Sequence, residues 1–288
     1  MVPELYKYTS ADVAKIVLES RKIRWSSPLT LNDPAEFKLA VTPPERRDHL
    51  ISLALEEAWR VASGEVQPTQ MHGTVYRLLT HRNGWDRSEF LANLADAITE
   101  SVDTHLKNEP KWINDLHQIM IRDKVLCLTD DPTNPTMWAN YADNGAGILI
   151  GFRNVSAFDS PYSEARPVSY SKARPSIYTE IELAKTIAGS WSINMSDVAR
   201  RITHTKIECW SHEREWRIYS GQGRAPEENF EDCEFNSQEL AKVIFGYHCP
   251  PEERQRIQEL AKKRYDSVEF FDSQISPYGE IEITHRSV

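Results

Sequence analysis

Two glutamates and two arginines crowd into the stretch Trp210–Ser220, WSHEREWRIYS, as Glu213, Arg214, Glu215 and Arg217. The surrounding aromatic and aliphatic residues suit a β-strand. Alternation along a strand would put Glu213 and Glu215 on one face, about 7 Å apart. Two carboxylates on one face stay ionised together only with cations, water or a ligand between them. Fixed in a partly dry site, one could stabilise a cationic sugar as a glycosidic bond breaks. The other could take a proton from an incoming nucleophile. The plainer alternative is that Arg217 neutralises Glu215 on a solvated sheet surface.

Two other stretches carry groups that could work with this pair. In MWANY, Trp138 and Tyr141 are three apart, so one turn of helix would put both rings on one face, able to sandwich a flat ligand or simply to anchor the core. In the loop that includes Ser26, Asn32 and Asp33, the polar side chains either make turns or meet ligand hydroxyls. No metal is expected, because Cys209 with His212 and His248 with Cys249 match no common zinc spacing. Neither GxGxxG nor a P-loop is present, and no GxSxG supports a serine nucleophile.

These candidates must be positioned by elements readable from pattern. LYKYT at 5–9 reads as a strand, Ser10 as the cap of a helix carrying Val13, Ile16 and Val17, and Ile23–Ser26 as a second strand. Phe37–Val41 reads as another strand. From Pro43 to about Arg122 the pattern is helical, with Ile51, Leu55, Ala58 and Ala62 on one face and Leu91, Leu94, Ile98 and Val102 on another. Asp86 and Glu89 form a candidate capping box. Strands are expected at Val125–Thr129, Gly147–Phe152, Pro167–Tyr170, Lys242–Gly246, Val268–Phe271 and Ile281–Thr284. Helices are expected at Ile181–Ile187, at Val198–Ile202 behind a Ser196 cap, and at Pro250–Tyr265. Strands at both ends and in the middle, without regular alternation, predict an α+β fold. The chain is read as a single domain, 1–288, with a helical insertion at 44–122.

Composition narrows the classes. A chain of 288 residues, 40% hydrophobic and 10% aromatic, can bury a sizeable core. A net charge of −9 disfavours a broad grip on nucleic acid, though a local basic groove remains possible. Four cysteines without a CxxC pair fit a reducing, cytoplasmic setting. The start lacks a basic segment followed by an apolar run, so no signal peptide is expected, and no apolar run is long enough to span a membrane.

Taken together, LYKY, SSPLTLNDPAE, MWANYADNGAG and EREWRI, with ELAKVIFG at 239–246, resemble a bacterial family known only as a domain of unknown function. The chain is more distantly similar to ADP-ribosyltransferases, which carry three separated strand motifs and often end on ExE. LYKYT stands where those enzymes often show LYHGT, which puts Lys7 at the usual His position with Tyr8 beside it. The Ser-Thr-Ser triplet of the middle motif is missing. The resemblance implies mixed, split antiparallel sheets around a cleft, with NAD as substrate. It gives Glu215 the ribose next to nicotinamide and Glu213 the acceptor. Lys7, Tyr8, Ser26, Asn32, Asp33, Trp138, Tyr141 and Arg217 would hold NAD, with nicotinamide on Tyr141 or Trp138. ADP-ribose would pass to a macromolecular acceptor, protein or nucleic acid, or to water. Resemblance to scattered defence proteins implies a toxin or phage-defence effector with an antitoxin or regulatory partner. Two readings from other classes stand beside it. One is a non-catalytic module that binds a ligand or partner in the same cleft. The other is a metal-dependent nuclease built on Asp33, Glu36 and the glutamate pair.

Overall fold

The computed structural model describes residues 2–286. In chain order the elements are β1 (Leu5–Thr9), α1 (Ala11–Ser20), β2 (Lys22–Ser26), α2 (Arg47–Ala62), α3 (Met71–Asn83), α4 (Arg87–Met120), β3 (Val125–Thr129), α5 (Pro135–Tyr141), β4 (Ile148–Phe152), β5 (Arg166–Pro167), β6 (Ser169–Ser171), α6 (Glu180–Ala188), α7 (Met195–Thr203), β7 (Thr205–Ile207), β8 (Glu215–Tyr219), β9 (Phe230–Glu234), β10 (Leu240–Phe245), α8 (Pro251–Arg264), β11 (Glu269–Ile275) and β12 (Ile281–His285). This is α+β, with a mixed, largely antiparallel sheet and several helices. They fall into two compact units: Met1–Glu36, Met120–Lys172 and His204–Val288 form one, and Phe37–Ile119 with Ala173–Thr203 the other.

The first unit holds a ten-stranded sheet with the path β12-β11-β10-β4-β1-β3-β2-β9, and β8 pairs with both β3 and β5. Its core follows from the two-residue period of strands. Ile148, Ile150 and Phe152 of β4 pack on one face with Ala14, Val17 and Leu18 of α1 and Ile257 and Ala261 of α8. Leu149 points the other way, into a cluster with Tyr6, Tyr8, Met137, Trp138 and Ile244.

Strand β3 is where the ladder opens. β8 pairs with it along its whole length, from Val125↔Tyr219 to Thr129↔Glu215. β1 and β2 meet it by one residue pair each, Tyr6↔Thr129 and Ser26↔Val125. Between those two points, the carbonyl of Cys127 accepts a hydrogen bond from Lys7 Nζ at 3.0 Å. A buried carbonyl needs a donor, and here a side chain supplies it.

The second unit is helical. Leu50, Ala54, Ala58 and Val61 of α2 are buried, as are Phe90, Ile98 and Val102 of α4. The capping box forms as expected: Glu89 N donates to Asp86 Oδ1 at 2.9 Å, and Asp86 N to Glu89 Oε2 at 3.0 Å. The segment 173–203, read from sequence as two helices outside the 44–122 insertion, is part of this unit.

Several expected elements differ. Phe37–Val41 forms no strand, and Phe37 has φ 58°, which breaks extended backbone. Pro167–Tyr170 divides between β5, paired with β8, and β6, paired in parallel with β7, because Val168 turns inward between them. The cap of α7 is Asn194, whose Oδ1 accepts from Ser196 N at 2.9 Å. Strands β7 and β9, with lysine and acidic residues in short runs, lack the apolar pattern that would have announced them.

Candidate functional site

The stretch that appeared to be one strand is two pieces. Glu208–Glu213 forms a 3-10 turn, Arg214 sits in the left-handed region at φ 45°, and the strand begins only at Glu215. Strand alternation therefore does not align the two glutamates. What brings them together is a cation from another strand, Lys206 of β7. Its Nζ lies 2.5 Å from Glu213 Oε2, 3.1 Å from Glu215 Oε2 and 3.6 Å from Glu36 Oε1.

Alternation does apply within β8, where Glu215 and Arg217 share a face. Arg217 Nε donates to Glu215 Oε1 at 2.7 Å and Nη2 to Glu215 Oε2 at 2.9 Å, a forked pairing. The same Nη2 also donates to Glu36 Oε1. Neutralisation of Glu215 by Arg217 is thus real, but it happens in the interior. Arg217 is 0% exposed, Glu213 4%, Glu215 5%, and Glu36 and Lys206 6% each. Isolated charges do not persist at such burial, and this set persists because each has an opposite partner.

Three carboxylates face two cations, and the imbalance shows in their proton affinities. Burial by itself would raise Glu215, but Arg217 and Lys206 overrule it and hold its carboxyl at about 2. For Glu36, burial wins over Arg217, and the nearby Glu215 adds to it, so its proton is held above the usual carboxylate range. Burial would lower Lys206, yet Glu215, Glu36 and Glu213 outweigh it and keep the ammonium charged.

The cluster forms one wall of a cavity of about 290 Å³. Lys7, Tyr8, Ser26, Asn32, Tyr141, Glu213 and Glu215 line it, as do Glu36, Cys127 and Lys206. Asn32 Nδ2 donates to Tyr141 Oη at 3.1 Å, and Tyr141 Oη donates to Glu213 Oε1 at 2.7 Å. Burial raises the phenol of Tyr141 and its contact with Glu213 adds to this, so it stays a donor. Tyr8 presents its ring while its hydroxyl donates to Asp131 O at 2.9 Å. Cys127 is no candidate nucleophile, since burial raises its thiol far above neutrality.

The remaining sequence candidates lie outside the lining. Trp138 is fully buried, donates Nε1–H to Pro132 O at 2.9 Å, and packs edge-on against Tyr8 with centroids 5.2 Å apart. It is a core anchor, which leaves Tyr141 as the ring at the cavity. Asp33 makes a turn, its Oδ1 accepting from Ala35 N at 2.8 Å. Arg217 stands behind Glu215.

Sequence reading missed Lys206 and Tyr170, whose hydroxyl accepts from Glu215 N at 2.8 Å. It admitted Glu36 only as a metal ligand. The one local signal for Lys206 was its place between the β-formers Thr205 and Ile207, too short a run to announce a strand. Among the described residues, no group of three or more His, Cys, Asp or Glu side chains is placed to hold a metal ion. The glutamates instead turn their oxygens to Lys206 and Arg217. No helix among the described residues is long and apolar enough to cross a membrane.

A family model described as "protein of unknown function (DUF2971)" matches residues 137–218. The match takes in Tyr141, Lys206, Glu213, Glu215 and Arg217 and leaves Lys7 and Glu36 outside. It fits a domain-of-unknown-function family, as read from the sequence. No curated protein and no solved structure matches the chain.

Proposed function

We propose that the cavity takes NAD by its nicotinamide–ribose half and that the protein breaks the bond between them, as an ADP-ribosyltransferase or NAD glycohydrolase. The observation that carries the reading is the convergence of Glu213 and Glu215 on a cavity also lined by Lys7 and Tyr141. Small-molecule sites enclose about 300–1,000 Å³. At about 290 Å³ the cavity suits one ring and its sugar, with the rest of the dinucleotide outside.

In this reading nicotinamide packs on Tyr141. Glu215, ionised and clamped by Arg217, faces the ribose and stabilises the sugar as it becomes cationic. Preorganised charge of this kind acts without reorganising during the reaction. Lys7 Nζ donates to the Cys127 carbonyl, and in this reading its other N–H groups serve a ribose hydroxyl or a phosphate. The acceptor is water or a macromolecular nucleophile.

One observation favours a second reading, a ligand-binding module without turnover. Both oxygens of Glu213 and both of Glu215 already have partners within the protein. The two readings separate on incubation with NAD labelled in the adenosine half, with and without lysate, scored for free nicotinamide and labelled macromolecules. The enzyme releases nicotinamide, and Glu215→Gln abolishes release while NAD affinity and folding persist. Binding by calorimetry with no turnover of NAD would establish the module and end the enzymatic reading.

A further inference from the structure

Of the three carboxyls in the cluster, only Glu36 has an oxygen without a hydrogen-bond partner among the described residues. Glu213 gives Oε1 to Tyr141 and Oε2 to Lys206. Glu215 gives Oε1 to Arg217 and Oε2 to both Arg217 and Lys206. Glu36 spends Oε1 on Arg217 and Lys206, whereas Oε2 has no hydrogen-bond partner among the described residues. Glu36 lines the cavity with its side chain 2% exposed, and Oε2 is the oxygen that neither Arg217 nor Lys206 holds.

We propose that Glu36, through Oε2, is the general base that takes the acceptor's proton. This rests on the NAD reading and moves the acceptor role away from Glu213, whose oxygens are held. The step balances as follows. The bond from the anomeric carbon to nicotinamide breaks, and its electron pair discharges the pyridinium nitrogen. The acceptor oxygen bonds to the anomeric carbon, and its proton passes to Glu36 Oε2 and then to solvent.

The surroundings suit the task. The charged groups against Glu36 are Arg217 and Glu215 of β8 and Lys206 of β7; Lys7, Arg24, Cys127, Tyr141 and Glu213 share its cavity. A carboxylate whose proton is held more firmly than usual is a stronger base, and a base matched closer to the working pH transfers protons more efficiently. The fold places Glu36 there through the turn in which Glu36 N donates to Asp33 O at 3.2 Å.

The test compares Glu36→Gln with wild type in NAD hydrolysis. Glutamine keeps the shape and leaves two carboxylates against two cations, so the cluster holds. General-base catalysis contributes about 10²–10⁴-fold, and hydrolysis by Glu36→Gln should fall within that range. Azide needs no deprotonation, so it should restore nicotinamide release to Glu36→Gln with an azido sugar as product, and should not rescue Glu215→Gln. The acidic limb of the wild-type pH–rate profile, where Glu36 becomes protonated, should vanish in Glu36→Gln. A Glu36→Gln enzyme that hydrolyses NAD at the wild-type rate, or one that azide cannot rescue, overturns the assignment while leaving the NAD reading intact. A wild-type protein that releases no nicotinamide overturns both.

Discussion

Lys206→Met removes the cation that Glu213 and Glu215 share. Lys206 is 6% exposed and lies within 3.6 Å of three carboxylates, so its loss leaves Arg217 alone against all three. Removing one partner of a buried ion pair costs about 3–5 kcal/mol, because the stranded charges cannot be hydrated. For a unit of this size that is a fall of about 6–20 °C in Tm. The loss should also depend on pH. Without Lys206, less holds Glu215 down, and Glu36, already raised, rises further. A group raised in the folded state stabilises below its unfolded value of about 4.3 and loses that contribution as pH rises through the folded value. The deficit should therefore be largest near about pH 8 and shrink toward about pH 5. Thermal and urea unfolding followed by circular dichroism at both pH values measures it. The double variant Lys206→Met with Glu213→Gln should regain part of the loss, since the two sites touch. A deficit under about 1 kcal/mol, the range of an exposed pair, would refute the buried cluster. So would a deficit independent of pH.

Two further outcomes follow from the same structure. In the wild-type protein, Glu215 is held at about 2 against an ordinary 4.5, so its pairing contributes on the order of 3 kcal/mol above the ordinary value, lost as pH falls toward 2. Glu36 has the opposite sign, its contribution being present below the ordinary value and lost as pH rises through its raised one; urea midpoints against pH should show the acid loss, and Glu215→Gln should flatten it. Gly147→Ala should lower the Tm with a loss of about 1–3 kcal/mol, because a Cβ would stand 2.3 Å from Thr9 O and 2.8 Å from the backbone of Ala142, neither of which can yield without moving β1 or the end of α5.

The α+β class, the strands that carry Lys7 and Glu215, and the anomaly of four charges beside Trp216 were legible in the sequence, whereas the stretch that presents Tyr141 was legible only as a short helix or tight turn. These are local facts: a two-residue or 3.6-residue period, a cap, a charge where burial is expected. The sequence also offered Arg217 as the neutralising partner of Glu215, and the two do share a face because they sit two apart within a true strand. Only the tertiary structure decided how Glu213 joins them. That depends on Arg214 adopting φ 45°, a conformation its residue type disfavours and that surrounding structure must impose. It likewise decided that Trp138 packs inward while Tyr141 reaches the cavity. Tertiary structure also brought Lys206 from β7 onto both glutamates, and Glu36 onto Arg217 from 181 positions away. A buried charge is stable only beside its opposite. Its partner is therefore fixed by the fold, and no periodicity along the chain encodes it.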